Sequence, residues 1–148
     1  MKPIEVFGKY AMAFEEVVRL DDWSVLEPFF TEDAVYETIG PGPFSGRRKG
    51  RQAVLDYLKQ SLDTFDRRFD VRENPEMVEG PNVTEDSVWI RWRVTYRVEG
   101  APPFVLDGEE TAVIDGDRIH RLEDRFTDQV AADLEAWMAK HGDKLKPV

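Results

Sequence analysis

The chain has 148 residues, 41% apolar and 34% charged, with 30 acidic against 20 basic side chains and a formal net charge of −10. This composition excludes a disordered or fibrous chain, and no apolar run reaches the roughly 18 residues of a bilayer span. The absence of cysteine removes disulfides, thiolate catalysis and cysteine zinc sites, and the acidic balance opposes both nucleic acid and anionic membranes as partners.

In chain order, Pro3 stands where a helix begins, and Ile4, Phe7, Ala11, Phe14, Val17 and Val18 recur at helical spacing. Glu5, Lys9 and Glu15 interrupt any secretory signal there, so a cytoplasmic protein is expected. Asp21-Asp22 breaks this helix and caps a short second one, Trp23 to Phe29. Ala34 to Ile39 reads as a strand, stopped by Gly40-Pro41-Gly42-Pro43. A third helix runs from about Gly50 to Phe65 with Val54, Leu58, Leu62 and Phe65 on one stripe.

The period then changes to two. Phe69 to Glu79 reads as a strand, and Ser87 to Val98 alternates Val88, Ile90, Trp92, Val94, Tyr96 and Val98 against Trp89, Arg91, Arg93, Thr95 and Arg97. Gly100-Ala101-Pro102-Pro103 leads into a strand from Phe104 to Ile114, and Asp115-Gly116-Asp117 makes a hairpin into Arg118 to Phe126. Asp128 caps a last helix carrying Val130, Leu134, Trp137 and Met138, which ends at Gly142. With no repeat and no linker, residues 1–148 read as one α+β domain. Its N-terminal helices pack on one side of a curved antiparallel sheet, with a C-terminal helix added.

The segments "DDWSVLEPFFTEDAVYE", "GRRKGRQAVLDYL" and "VIDGDRIHRLEDRF", in that order over roughly residues 4 to 138, resemble the SnoaL-like branch of the nuclear-transport-factor-2-like superfamily. The resemblance implies a cone-shaped pocket between helices and sheet, and a homodimer through the outer face of the sheet. The superfamily hosts polyketide cyclases, ketosteroid isomerases, dehydratases, limonene epoxide hydrolases and non-catalytic binders, so the polar groups inside the cone must decide the function.

Alternation along the strands names those groups. The apolar set of the strongest strand turns Trp92, Val94 and Tyr96 inward and sends Arg91, Arg93 and Arg97 outward, toward Glu109 and Glu123 on neighbouring strands. The alternative turns Arg93 inward to hold an anion. On the last strand His120, Leu122 and Asp124 share the inward face, and Glu110 shares a face with Ala112 and Ile114 on the strand before. Pairing Ile114 with Arg118 would put Glu110 opposite Leu122, diagonal to both His120 and Asp124 and able to bridge them. The resemblance to ketosteroid isomerases and limonene epoxide hydrolases places Tyr36 and Thr38 in the cavity, with Tyr10 as a neighbour.

A carboxylate in an apolar cone has its pKa raised toward neutrality, and a histidine titrates there already. Asp124 or Glu110 as base, His120 as acid or orienting partner and Tyr36 as oxyanion donor would move protons on a mostly apolar, oxygen-bearing small molecule. Such chemistry fits a cyclase, isomerase, dehydratase or epoxide hydrolase and requires no cofactor. An outward His120, or Glu110 and Asp124 salt-bridged away from the cavity, would sink the enzyme reading built on these groups. Trp92, Tyr96, Phe14, Thr38, Tyr10 and Leu122 are the candidate ligand-binding residues, the aromatic ones being equally suited to filling a core. The two histidines, His120 and His141, lack ligand spacing, so no metal is expected. The cluster Arg47-Arg48-Lys49 with Arg51 reads either as a solvated loop or as an attractor for an anion.

Two departures from relatives weigh against specific activities. The position that the resemblance gives to the isomerases' catalytic aspartate is Thr38, which cannot abstract a proton. Asp124 matches the last-strand aspartate of the epoxide hydrolases, but Thr95 replaces their other aspartate. The rival to an enzyme is a non-catalytic ligand-binding or dimeric interaction module of the same fold.

Overall fold

In the computed structural model, which describes residues 1–148, Pro3 opens helix α1 (Pro3–Leu20) where its missing N–H is harmless. Glu5 in the first turn and Arg19 in the last complement the helix dipole. Asp21 ends the helix in the left-handed region, φ 59°, its N–H bonded to the Val17 carbonyl. The buried stripe is Val6, Phe7, Tyr10, Ala13 and Val17, rotated slightly from the expected one, so that Ala11 and Phe14 face a cavity instead of the core.

The helix expected over Trp23–Phe29 is two 3-10 turns, Trp23–Val25 and Glu27–Phe29. Pro28 has no N–H to continue a helix, and Asp22 caps the first turn by accepting from the Ser24 N–H at 3.2 Å. Strand β1 (Phe30–Ile39) starts four residues before its alternation becomes visible, because its register is irregular between Phe30 and Val35. Strand β2 (Gly46–Lys49) was hidden in the sequence: an exposed edge strand carries charge in place of apolar alternation.

Helix α2 (Arg51–Thr64) buries Val54, Leu55, Leu58 and Leu62. The strand expected over 69–79 divides around Pro75 into β3 (Val71–Arg72) and β4 (Glu76–Val83). Strands β5 (Ser87–Arg97), β6 (Phe104–Asp115) and β7 (Arg118–Arg125) match expectation to within a residue. Helix α3 (Asp128–His141) is capped by Thr127, whose hydroxyl accepts from the Val130 N–H at 3.2 Å; Asp128, expected as the cap, is its first residue.

The strands form one strongly curled sheet in the order β2-β1-β7-β6-β5-β3, with β4 also paired to β5. The α+β class is as expected, and the sheet is mixed: β1 runs parallel to β7, while every other pair is antiparallel. Helix α1 packs on β5, β6 and β7, α2 on β1 and β2, and α3 on β6. Two apolar clusters result, a larger one under α1 and α2 and a smaller one holding Phe69, Tyr96, Phe104 and Trp137. A cavity of about 600 Å³ is lined by residues of both. No helix is long and apolar enough to cross a membrane.

Candidate acid–base site in the cavity

The sheet positions the polar groups by pleat and register. On β6, Ala112 and Ile114 are buried with Glu110 on the same face, and Glu110 lines the cavity. Asp124 on β7 lies directly across from Glu110 and also lines the cavity, 7% exposed. Directly opposed residues bring their Cβ atoms to about 5 Å, so two carboxyl groups meet here on the cavity wall. On the far side of β7, Thr38 of β1 is the partner of Asp124 and Tyr36 is the partner of Leu122. The Tyr36 hydroxyl reaches diagonally and donates a short hydrogen bond to Asp124 Oδ2.

This register corrects the expected one. Asp115 pairs with Arg118 and Ile114 with Ile119, but Val113 pairs with Arg121, so His120 is an unpaired extra residue, a bulge. The hairpin pairing shifts the register by one residue and the bulge by a second, so Glu110 lies opposite Asp124 and not Leu122. The bulge also reverses the pleat: Ile119 and Leu122 are the buried residues, and His120 turns out of the cavity toward exposed Asp33, with Nδ1 3.6 Å from its carboxylate. The scheme that used His120 as acid is thereby excluded. Leu122, expected to touch ligand, is 1% exposed in the main apolar cluster behind the wall and does not line the cavity.

The other candidates are placed as expected. Trp92, Tyr96, Phe14, Tyr10 and Thr38 line the cavity, and Tyr36 lines it beside them. Gly108, the partner of Trp92 across β5 and β6, explains the indole's position, since a Cβ there would stand 2.5 Å from Trp92 Cζ2 and 3.1 Å from Phe126 Cε1. Only glycine lets the indole lie flat across β6. Arg93 points outward and pairs with Asp107 at 2.8 Å, which settles its direction. The other outward arginines find different partners from those expected: Arg91 stands 3.9 Å from Glu79, and Arg97 2.6 Å from Glu73. Glu109 accepts from the Trp89 indole, while Glu123 holds Arg121 and Arg125.

Burial sets the electrostatics of the pair. The Glu110 pKa is raised well above the usual carboxylate range by burial and then by the negative charge of Asp124. Burial also raises Asp124, but less, because Glu110, Tyr36 and Trp92 steady its charge. Tyr36 is itself pushed up by burial and by Asp124, and so keeps its proton as a donor. Both carboxyl groups are thus harder to ionise than in water, Glu110 the more so, and Asp124 accepts from Tyr36. Asp124 Oδ1 and Trp92 Nε1 are buried without a partner in hydrogen-bonding geometry. Glu110 is not in that state, because its carboxyl opens onto the cavity.

A second polar cluster on the wall gave no signal in the sequence. Arg72 Nη1 holds Glu15 at 2.7 Å, its Nε holds Asp66 at 2.9 Å, and the Tyr96 hydroxyl donates to the same Asp66 oxygen at 2.9 Å. Burial pushes the Asp66 carboxyl up despite Arg72. Burial opposes the Arg72 charge, but Glu15 and Asp66 outweigh it and raise its pKa. These residues come from three separate elements and a connecting turn, and no local spacing could have joined them. No group of three or more His, Asp or Glu side chains is arranged to hold a metal ion.

The profile of the SnoaL-like domain matches residues 11–132. No curated protein matches the sequence significantly. Among solved structures, a candidate isomerase from Rhodopseudomonas palustris is 16% identical and superposes with a TM-score of 0.71, covering 88% of this chain and 96% of its own. A candidate polyketide cyclase from Xanthomonas campestris is 20% identical with a TM-score of 0.58, over 95% and 98% of the two chains. A protein from Catenulispora acidiphila with a ketosteroid isomerase-like fold, in complex with trimethylamine, is 16% identical with a TM-score of 0.60, over 90% and 92%. At these identities the likeness is one of fold.

Proposed function

The chain belongs to the SnoaL-like domain family, and on that premise we propose that it is a cofactor-independent enzyme moving protons on a mostly apolar, oxygen-bearing small molecule. The observation that carries this reading is the opposed pair Glu110 and Asp124, both lining the cavity, with Asp124 already accepting from Tyr36. Glu110, neutral at rest, donates its proton to a carbonyl, epoxide or hydroxyl oxygen of the ligand. The carboxylate left behind faces Asp124 and is driven to recover a proton from the ligand's carbon or from water. A positioned acid of this kind contributes about 10²–10⁴-fold. Asp124, held by Tyr36, acts through Glu110 as a positioning residue, and Trp92, Phe14 and Tyr10 enclose the apolar body. Thr38, in the place that the likeness to ketosteroid isomerases gives to their aspartate, favours a second reading in which the cone binds a ligand without transforming it. A homodimer through the outer face of the sheet belongs to the same proposal, supported by Trp89, Val105 and Val113, which that face leaves partly exposed.

A panel of epoxides, enones and β-hydroxy carbonyls, assayed with wild type, Glu110→Gln and Asp124→Asn, tests the chemistry. Turnover by wild type is expected to fall at least about a hundredfold in Glu110→Gln. Equal turnover in the two removes Glu110 as the acid, and binding without turnover across the panel favours the second reading.

A further inference from the structure

Three arginines line the cavity: Arg72 is ion-paired, Arg68 donates through Nε to the Lys146 carbonyl at 2.8 Å, and Arg48 meets no carboxylate. Arg48 of β2 pairs across the strands with Tyr36 and lines the cavity at its rim. Its guanidinium lies over the Tyr57 ring, Cζ 4.5 Å from the centroid, and its polar contact within the chain is a 3.0 Å bond from Nη1 to the Arg47 carbonyl. No carboxylate pairs with it, although acidic side chains outnumber basic ones by 30 to 20. Arg72, Arg93, Arg97 and Arg121, by contrast, are all ion-paired.

Two hydroxyls converge with it. From the point where a Cβ on Gly46 would stand, Thr38 Oγ1 is 3.4 Å away, Tyr57 OH 3.7 Å and Arg48 Nη1 3.8 Å. Thr38 makes only a 3.5 Å contact to the Gly46 carbonyl, and the Tyr57 hydroxyl makes no hydrogen bond. Tyr36 lies tilted against Tyr57, ring centroids 5.6 Å apart, but its own hydroxyl is committed to Asp124. A planar cation fixed on an aromatic face, flanked by two underused donors, suits a planar anion with two acceptor oxygens.

We infer that Arg48, Tyr57 and Thr38 form a carboxylate subsite, and that the ligand of this cavity is a small organic acid. The inference rests on the cavity being a small-molecule site and does not require that Glu110 transfer a proton. Arg48 and Glu110 are three strand spacings apart, roughly 14 Å across the sheet, and two residues, roughly 7 Å, apart along it, and side chains shorten this from both ends. A carboxylate on Arg48 thus leaves a short apolar body to cross the cavity and bring a second oxygen to Glu110. Burial favours the neutral form of the Glu110 carboxyl, which lessens its repulsion of such an acid.

Calorimetric titration with phenylbutanoate, phenylhexanoate and naphthylacetate, each beside its primary amide, tests the subsite on wild type, Arg48→Gln, Arg48→Lys and Glu110→Gln. Wild type is expected to bind acids about tenfold more tightly than amides, a preference that shrinks with added salt because Arg48 is exposed. Arg48→Gln loses the preference, Arg48→Lys keeps part of it, and Glu110→Gln keeps it whole. Equal affinity for acid and amide in wild type, survival of the preference in Arg48→Gln, or failure of every acid to bind overturns the inference. A preference for acids combined with unchanged turnover in Glu110→Gln overturns the proton-transfer reading alone.

Discussion

Replacing Tyr36 by Phe removes one oxygen and tests the electrostatics of the site directly. Asp124 receives one hydrogen bond, the short one from Tyr36: Oδ1 has no partner and Oδ2 accepts from Tyr36 alone. A hydrogen bond to a charged group is worth about 1.5–3 kcal/mol, and a buried charge left unpaired adds to the loss, so a destabilisation of about 3 kcal/mol is expected near neutrality. For a domain of this length that lowers Tm by roughly 6–12 °C. The cost must depend on pH. Burial holds the Asp124 pKa above its unfolded value, and losing the Tyr36 donor raises it further. A raised folded pKa contributes stability that is present below the unfolded pKa and lost as pH rises through the folded one. The variant should therefore approach wild type at acid pH, where Asp124 is protonated in both, and fall away as pH increases. Chemical denaturation of wild type, Tyr36→Phe, Asp124→Asn and the double variant across pH closes the cycle. A cost that is flat with pH, or undiminished in the Asp124→Asn background, refutes the reasoning.

Glu110→Gln removes a buried acid whose pKa lies above its unfolded value, so its stability relative to wild type should rise as pH climbs beyond about 4.5, measured by thermal melts. A gain that shrinks with rising pH contradicts the assignment of the proton to Glu110. Gly108→Ala places a methyl 2.5 Å from Trp92 Cζ2 and is expected to cost about 1–3 kcal/mol while displacing the indole, read as a change in tryptophan emission with a fall in Tm. Unchanged emission would show that Trp92 is not pinned by that glycine. His120→Ala should leave both Tm and any turnover unchanged, and a loss of turnover returns the histidine to the site.

The sequence alone was enough for the α+β class and for most of the elements, because those signals are local. Helical spacing in α1 and α2 and strict alternation along β5 reflect one buried face apiece, and they also name Trp92, Val94 and Tyr96 as inward. Where burial is absent the signal is absent too: β2 and β4 are exposed edge strands, and nothing in Gly-Arg-Arg-Lys announces a strand. The 3-10 turns before β1 escaped notice because their apolar residues keep a helical rhythm that Pro28 prevents the backbone from following.

The site divides along the same line. That Glu110 and Asp124 face inward follows from alternation on each strand, but their meeting depends on a bulge of one residue at His120, and only the paired sheet decides where an extra residue is absorbed. The same residue sends His120 outward, since a slip of one position reverses every side chain beyond it. The parallel approach of β1 to β7, which brings Tyr36 to Asp124 across 88 positions of sequence, is likewise a property of the closed sheet. Local pattern reports which face is buried, while register reports which groups touch, and register is set by the competition among all the strands at once.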